Sequence, residues 1–154
     1  VNRIGVISDT HGLLRTSVID ALNGVSMILH AGDIGSRQVL VELRKIAPLV
    51  AVKGNVDKGA WTRRLRLREY AEVAGTACYL LHDIADLDLD PVAAGIRVVI
   101  HGHSHKPRIQ EKGGAMYLNP GSVGPRRFKL PVSMAYLYVR DNGSVSAEIL
   151  HLED

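Results

Sequence analysis

Three short apolar runs, Arg3–Ile7, Ser26–His30 and Leu49–Val52, alternate with two stretches whose apolar residues recur at helical spacing. Leu14, Val18, Ile19 and Leu22 mark the first stretch, which Asn23-Gly24 stops. Val39, Leu40, Leu43 and Ile46 mark the second, with Ser36 placed to cap it and Pro48 to end it. Strand, helix, strand, helix, strand is the pattern of βαβ units. Parallel strands need a crossover, and a helix supplies it. This order constrains the fold more than any other feature, because it commits the first third of the chain to a parallel sheet.

The rest reads as an added antiparallel part. Arg64 to Arg68 alternates Leu with Arg, as a half-exposed strand does. Tyr70–Val73 and Thr76–Leu81 flank Ala74-Gly75, and Lys106–Lys112 and Ala115–Leu118 flank Gly113-Gly114, so both pairs are expected to be hairpins. Asp90 to Gly95 has an Asp cap, Pro at the first position and Gly at the end, which predicts a short helix. Arg97–Ile100 is a buried strand, and Val132–Val139 and Val145–Leu152 form a last hairpin about Asp141-Asn142-Gly143. The expected fold is α/β: one domain over 1–154, a four-layer sandwich of two mixed sheets with outer helices.

Composition excludes several classes. With 154 residues, 46% apolar and 23% charged, the chain is ordinary globular material, neither disordered nor fibrous. A domain of this size buries about two-thirds of its unfolded surface and needs no covalent staples. The single Cys78 forms no intramolecular disulfide and is expected in the core. No apolar run reaches the ~18 residues of a membrane span, and a first strand from Arg3 is not a signal segment. The expected setting is soluble and cytoplasmic. A formal charge of +3 is far from a nucleic-acid-wrapping surface, and aromatics make up 5%, so nucleic acid is not expected as a dedicated partner.

Histidine carries the chemical signal. Three of seven fall within His101-Gly102-His103-Ser104-His105. Asp9 and His11, Asp33, Asn55, and His103 and His105 each follow a predicted strand, and His82 follows the run Cys78–Leu81. Ligands bind outside the carboxyl ends of strands in open α/β sheets, so these groups can converge. Residues i and i+2 of an extended segment share a side, which pairs Asp9 with His11 and His103 with His105. Gly32, Gly54 and Gly102 precede Asp33, Asn55 and His103, where glycine is expected to permit a sharp turn. Mixed nitrogen and oxygen donors suit Mn, Fe, Ni, Co or Zn. Seven groups are too many for one tetrahedral ion and suit two ions sharing a carboxylate.

Ser8-Asp9-Thr10-His11-Gly12, His30-Ala31-Gly32-Asp33, Gly54-Asn55, His82, His101-Gly102-His103-Ser104-His105-Lys106-Pro107 and Asn119-Pro120-Gly121-Ser122 together resemble the calcineurin-like metallophosphoesterases, most closely their small prokaryotic YfcE-type phosphodiesterases. The resemblance runs from residue 1 to about 152. It implies a metal-dependent phosphodiesterase that hydrolyses small phosphodiesters with a hydroxide activated by two divalent ions, Mn or Ni first, Zn, Fe or Co next. It implies Asp9, His11 and His105 at one metal, Asn55, His82 and His103 at the other, and Asp33 bridging. A non-catalytic scaffold of the same fold is the alternative, since a retromer subunit resembles the family too. A homo-oligomer is compatible with the sequence.

The chain departs from the wider pattern at Val56, where many relatives have a proton-donating His, at Asp83, where relatives commonly have Gly, and in the short acidic segment Asp83, Asp86, Asp88, Asp90. Asp57 is expected to orient a metal ligand or the leaving group. Ser122, Arg126 and Arg127 are expected to bind substrate, the arginines because a guanidinium matches phosphate with two donors.

Overall fold

The computed structural model describes residues 1–127 and 129–152. Strands β1 (Asn2–Ile7), β2 (Met27–His30) and β3 (Leu49–Ala51) lie parallel, with Gly5 opposite Ile28 and Leu29 opposite Val50. The crossovers are α1 (Thr16–Ala21) and α2 (Arg37–Arg44). The second sheet comprises β4 (Arg68–Val73), β5 (Thr76–Leu81), β6 (Val98–Ile100), β7 (Arg108–Lys112) and β8 (Ala115–Asn119), in the order β4-β5-β6-β8-β7. The final hairpin, β9 (Ser133–Val139) and β10 (Val145–His151), returns to the first sheet and gives it the order β10-β9-β1-β2-β3.

Burial explains the layering. Ile4, Val6 and Leu29 of the first sheet meet Cys78, Leu80, Val98, Ile100 and Leu118 of the second in a shared core. On the outer side of the first sheet, Val18, Leu22, Leu40 and Leu43 bring the two helices onto Ile28. The outer face of the second sheet, Tyr79, Leu81 and Val99, is covered by Ile84, Leu87 and Leu89 from a 3-10 turn (Ile84–Asp86) and the loop after it. Two mixed sheets with helices outside are therefore the architecture, and the outermost layer on the second sheet is reduced to this single turn and loop.

Local expectations were altered at three places. Arg64–Arg68 is not a strand: only Arg66 bridges to Val52, and β4 starts at Arg68. Leu65 packs on the helix-side core but Leu67 is 62% exposed, so the two alternating leucines do not share one buried face. Asp90–Gly95 is a turn, not a helix. Asp90 Oδ1 accepts from the Val92 and Ala93 N–H groups and Gly95 sits at φ 79, so cap and stop signals meet within one turn and nothing propagates. Ser36 occupies the N-cap position of α2, but its side chain makes no capping hydrogen bond.

The β4–β5 turn puts Ala74 at φ 49 and Gly75 at φ 79. Both central residues of this hairpin turn are left-handed, a conformation that costs Ala about 1–2 kcal/mol and Asn less. Ala74→Asn is expected to stabilise the protein by about 0.5–1 kcal/mol in urea unfolding. An unchanged or lower midpoint would contradict the turn assignment.

Candidate metal centre

The site lies at the carboxyl ends of β1, β2 and β3 and in the loops after β5 and β6. The Asp9–Gly12 loop is latched to the Gly32–Ile34 loop by three backbone hydrogen bonds: Asp9 N–H to Gly32 O (3.0 Å), His11 N–H to Asp33 O (3.0 Å) and Gly12 N–H to Ile34 O (2.8 Å). The latch holds the donors in an uncommon conformation. Asp9, His11, Asp33, His103 and His105 all have φ between 47 and 69, each at a cost of order 1–3 kcal/mol. Asp9 therefore meets His11 through left-handed turns, not through the alternation of an extended strand, and the same conformation at His103 and His105 sends His105 to Asp9 and His103 toward His82. Of the three glycines, only Gly32 has positive φ, at 102. Gly54 and Gly102 are required for space: a Cβ on Gly54 would overlap the Asp33 backbone and carboxylate, and one on Gly102 would overlap Ser8 Oγ.

Asp9 is at the centre and fully buried. Its Oδ1 lies 3.2 Å from His105 Nε2, 3.6 Å from His11 Nε2 and 3.9 Å from His82 Nε2. Its Oδ2 accepts from Ser8 Oγ and from the His103 N–H. Burial opposes its charge, but the His105 and His11 rings beside it and the Ser8 hydroxyl bond outweigh that and hold its carboxyl well below the usual range. Asp33 Oδ2 lies 3.6 Å from His11 Nε2 and 3.2 Å from His82 Nε2, so this carboxylate touches both halves of the site. Burial raises its pKa; the His82 bond and the Val56 N–H bond to Oδ1 (3.0 Å) lower it further, and the net direction is down.

The donor set fits cations. His82 Nδ1 stands 2.8 Å from Ala31 O and donates to it, which leaves Nε2 as a lone pair facing Asp33. The Asn55 amide stands 3.0 Å from His82 Nε2 and 3.1 Å from both Asp33 oxygens. Its Nδ2 donates to these acceptors, and the opposite rotamer, which turns the amide oxygen inward, would offer a cation a further donor. Asp9 Oδ1 and His11 Nε2 are buried and have no hydrogen-bond partner among the described residues. Two donor groups result, Asp9 with His11 and His105, and Asp9 with Asp33 and His82. His103 stands apart from both: its side chain is 48% exposed and Nε2 lies 3.7 Å from Asp83 Oδ2, while its ring is 5.2 Å from that of His82.

The remaining candidates brace the loops. Asp57 is buried and accepts from the N–H groups of Ile34 (3.2 Å), Gly35 (2.9 Å) and Gly54 (2.9 Å), tying the Asp33 and Asn55 loops together. Ser122 Oγ donates to Asp9 O at 3.1 Å and accepts from Gly124 N–H. Asn119 Nδ2 donates to Gly102 O and Ser104 Oγ. Arg126 is exposed and donates to Leu130 O; Arg127 is exposed beside it. Neither lines the cleft of about 390 Å³ that opens over Asn55, His82 and His103; its cations are Lys53 and Arg68. Sequence reasoning passed over Lys53 and placed Arg68 only within the basic run Arg63–Arg68. Lys53 directly precedes Gly54-Asn55, so its place at the end of β3 was a usable signal; Arg68 was hidden by the strand expected over Arg64–Arg68.

His30 is wholly buried beneath the site. Its Nδ1 accepts from Gly32 N–H (3.1 Å) and its Nε2–H donates to Thr10 Oγ1 (3.0 Å), which donates to Ile34 O (2.7 Å). Burial pushes its pKa down to about 4. The unfolded chain binds this proton below about pH 6.5 and the folded chain does not, so stability is full above pH 6.5 and is lost as pH falls toward 4. With chelator present, the parent is expected to lose about 1.4 kcal/mol more per pH unit between 6.5 and 4.5 than His30→Gln, whose amide keeps an acceptor and a donor. Parallel stability curves would contradict a neutral His30.

The calcineurin-like phosphoesterase superfamily domain matches residues 3–142. A probable metallophosphoesterase of Methanothermobacter thermautotrophicus is 38% identical over 161 residues, covering 96% of this chain and 91% of that protein. Among solved structures, an archaeal phosphodiesterase superposes with a TM-score of 0.79 at 22% identity, covering 96% of this chain and 99% of its own. Vps29 of Entamoeba histolytica, complexed with Zn2+, superposes with a TM-score of 0.73 at 25% identity, covering 97% and 98%. A sandwich of two mixed sheets, donors at strand ends and a domain match over most of the chain agree, and the chain belongs to the calcineurin-like metallophosphoesterase superfamily.

Proposed function

We propose that the chain is a metal-dependent phosphodiesterase with two metal positions. The observation that carries this reading is the convergence of Asp9 Oδ1, His11 Nε2, Asp33 Oδ2 and His82 Nε2, acceptor groups that a cation satisfies together, with the Asn55 amide beside them. Asp9, His11 and His105 would hold one divalent ion; Asn55, His82 and His103 would hold the other, with Asp33 between them. Asp9 faces both groups as well. This mixed donor set suits Mn or Ni, then Zn, Fe or Co. When bound, the ions supply an activated water and neutralise charge that builds on the phosphoryl oxygens.

The chain's own residues do the rest. Asp57 fixes the spacing of the Asp33 and Asn55 loops, and so orients ligands without touching substrate. Ser122 fixes the backbone of Asp9 in the same way. Lys53 and Arg68 are the cations that line the cleft, and they replace Arg126 and Arg127 as the groups that meet the substrate's charge. Val56 is 43% exposed at the rim and offers no proton to a leaving group. Small phosphodiesters with good leaving groups are the expected substrates. The cytoplasm is the proposed setting, where the buried Cys78, its thiol pushed up to about 12 by burial, stays an inert core residue. The competing reading, a non-catalytic interaction module such as other proteins of this fold provide, is disfavoured because all seven donor positions are filled.

Two measurements test this. Asp33→Ala should retain the fold by circular dichroism and lose about a thousandfold or more in kcat, ~4 kcal/mol in the barrier. Near-normal turnover would overturn Asp33 as the shared ligand. Across aryl phosphodiesters of graded leaving-group pKa, kcat/KM of the parent should fall steeply as that pKa rises, and Val56→His should flatten the dependence. A flat line for the parent would mean that another residue donates the proton. No hydrolysis of any diester by metal-loaded protein would favour the interaction module.

A further inference from the structure

A second cavity, of about 460 Å³, lies between α2 and the chain that follows the Asn55 loop. Arg37 and Arg44 stand seven residues apart on α2, two turns along one face, with Leu40 between them. Arg63 and Arg64 form the facing wall, and Trp61 lies in it. All four arginines are exposed and no acidic residue lines the cavity. Among the described residues none of the four makes a salt bridge or side-chain hydrogen bond. The acid on the same helix, Glu42, is engaged elsewhere, with Gln38 and Lys45. Several other arginines are paired: Arg97 with Glu111, Arg140 with Ser146, Arg68 with Asp86 O.

Four uncompensated guanidinium groups around one groove repel one another and cost stability until an anion enters. Two arginines on each wall offer more donor forks than one phosphate group has oxygen pairs to accept. Guanidinium forks match phosphate oxygens two at a time. Trp61 adds an aromatic surface of the kind on which a base or a guanidinium stacks. From this arrangement we propose that the groove is a binding site for a chain of phosphate groups, as found in a single-stranded nucleic acid or in inorganic polyphosphate. The site is separate from the metal centre, and the proposal does not depend on the reaction proposed above.

Trp61 is the chain's one tryptophan, so its fluorescence reports occupancy directly. The probes are oligodeoxythymidylate and inorganic polyphosphate of matched charge, titrated into the whole chain with chelator present to keep hydrolysis out. Binding should shift the Trp61 emission, and the logarithm of affinity should fall with the logarithm of salt at a slope near −2 to −3, as about three or four phosphate contacts require. Arg64→Glu and Arg37→Glu should each weaken binding about tenfold or more and reduce the slope by about 1 or more. Arg140→Glu makes the same change of net charge on the far hairpin turn and should leave binding within about twofold. Equal binding of both probes means that phosphates alone are read. Tighter binding of the oligonucleotide means that Trp61 also stacks a base. No binding of either probe, or an Arg140→Glu loss as large as that of Arg64→Glu, would overturn the site.

Discussion

Three backbone hydrogen bonds between the loop after β1 and the loop after β2 set the geometry on which the centre depends. They hold Asp9, His11 and Asp33 in left-handed conformations that none of the three would favour alone. The strain is offset by packing from below and behind. Asp57 spends its whole carboxylate on three backbone N–H groups, His30 and Thr10 relay hydrogen bonds beneath the same loops, and Ser122 anchors the Asp9 peptide. Four residues thus brace the loops that carry Asp9, His11, Asp33 and Asn55, as expected for a site that must keep several like groups close together.

Electrostatics explains why such bracing is required. Two carboxylates, both held ionised, share a buried volume with histidine ring nitrogens that face inward. A proton on His82 is favoured by Asp33 against the opposing effect of burial, and the net direction is up. That proton does in part what a cation does better, and metal binding must displace it. Metal affinity should therefore carry a pH dependence that belongs to His82, while the neutral His30 beneath it keeps the same charge through the change.

The sequence made the donors legible because they fall at the ends of apolar runs, and strand ends are where an α/β sheet gathers ligands. The hairpins about Ala74-Gly75 and Gly113-Gly114 were legible for the same local reason, since the turn residues are fixed by φ. What remained hidden was set by tertiary contact. Gly54 and Gly102 look like turn glycines, but their need is room against Asp33 and Ser8. Alternation at Arg64–Arg68 imitates a strand, yet no buried surface receives Leu67. Asp57 was expected to orient a metal ligand or the leaving group, and its carboxylate is taken up by backbone N–H groups of the Asp33 and Asn55 loops. Lys53 and Arg68 came together only because the end of β3 and the start of β4 lie beside one cleft, a proximity that no local pattern encodes.

The central claim is that these donors form two adjoining cation positions that share the Asp33 carboxylate. Crystals of the protein grown with Mn2+, with data collected at a wavelength where manganese scatters anomalously, test it most directly. The account predicts two anomalous peaks per chain about 3.5–4 Å apart, one beside His11 and His105 and one beside His82 and Asn55, with Asp33 between them. A single peak, or two peaks with Asp33 bound to only one, would contradict it.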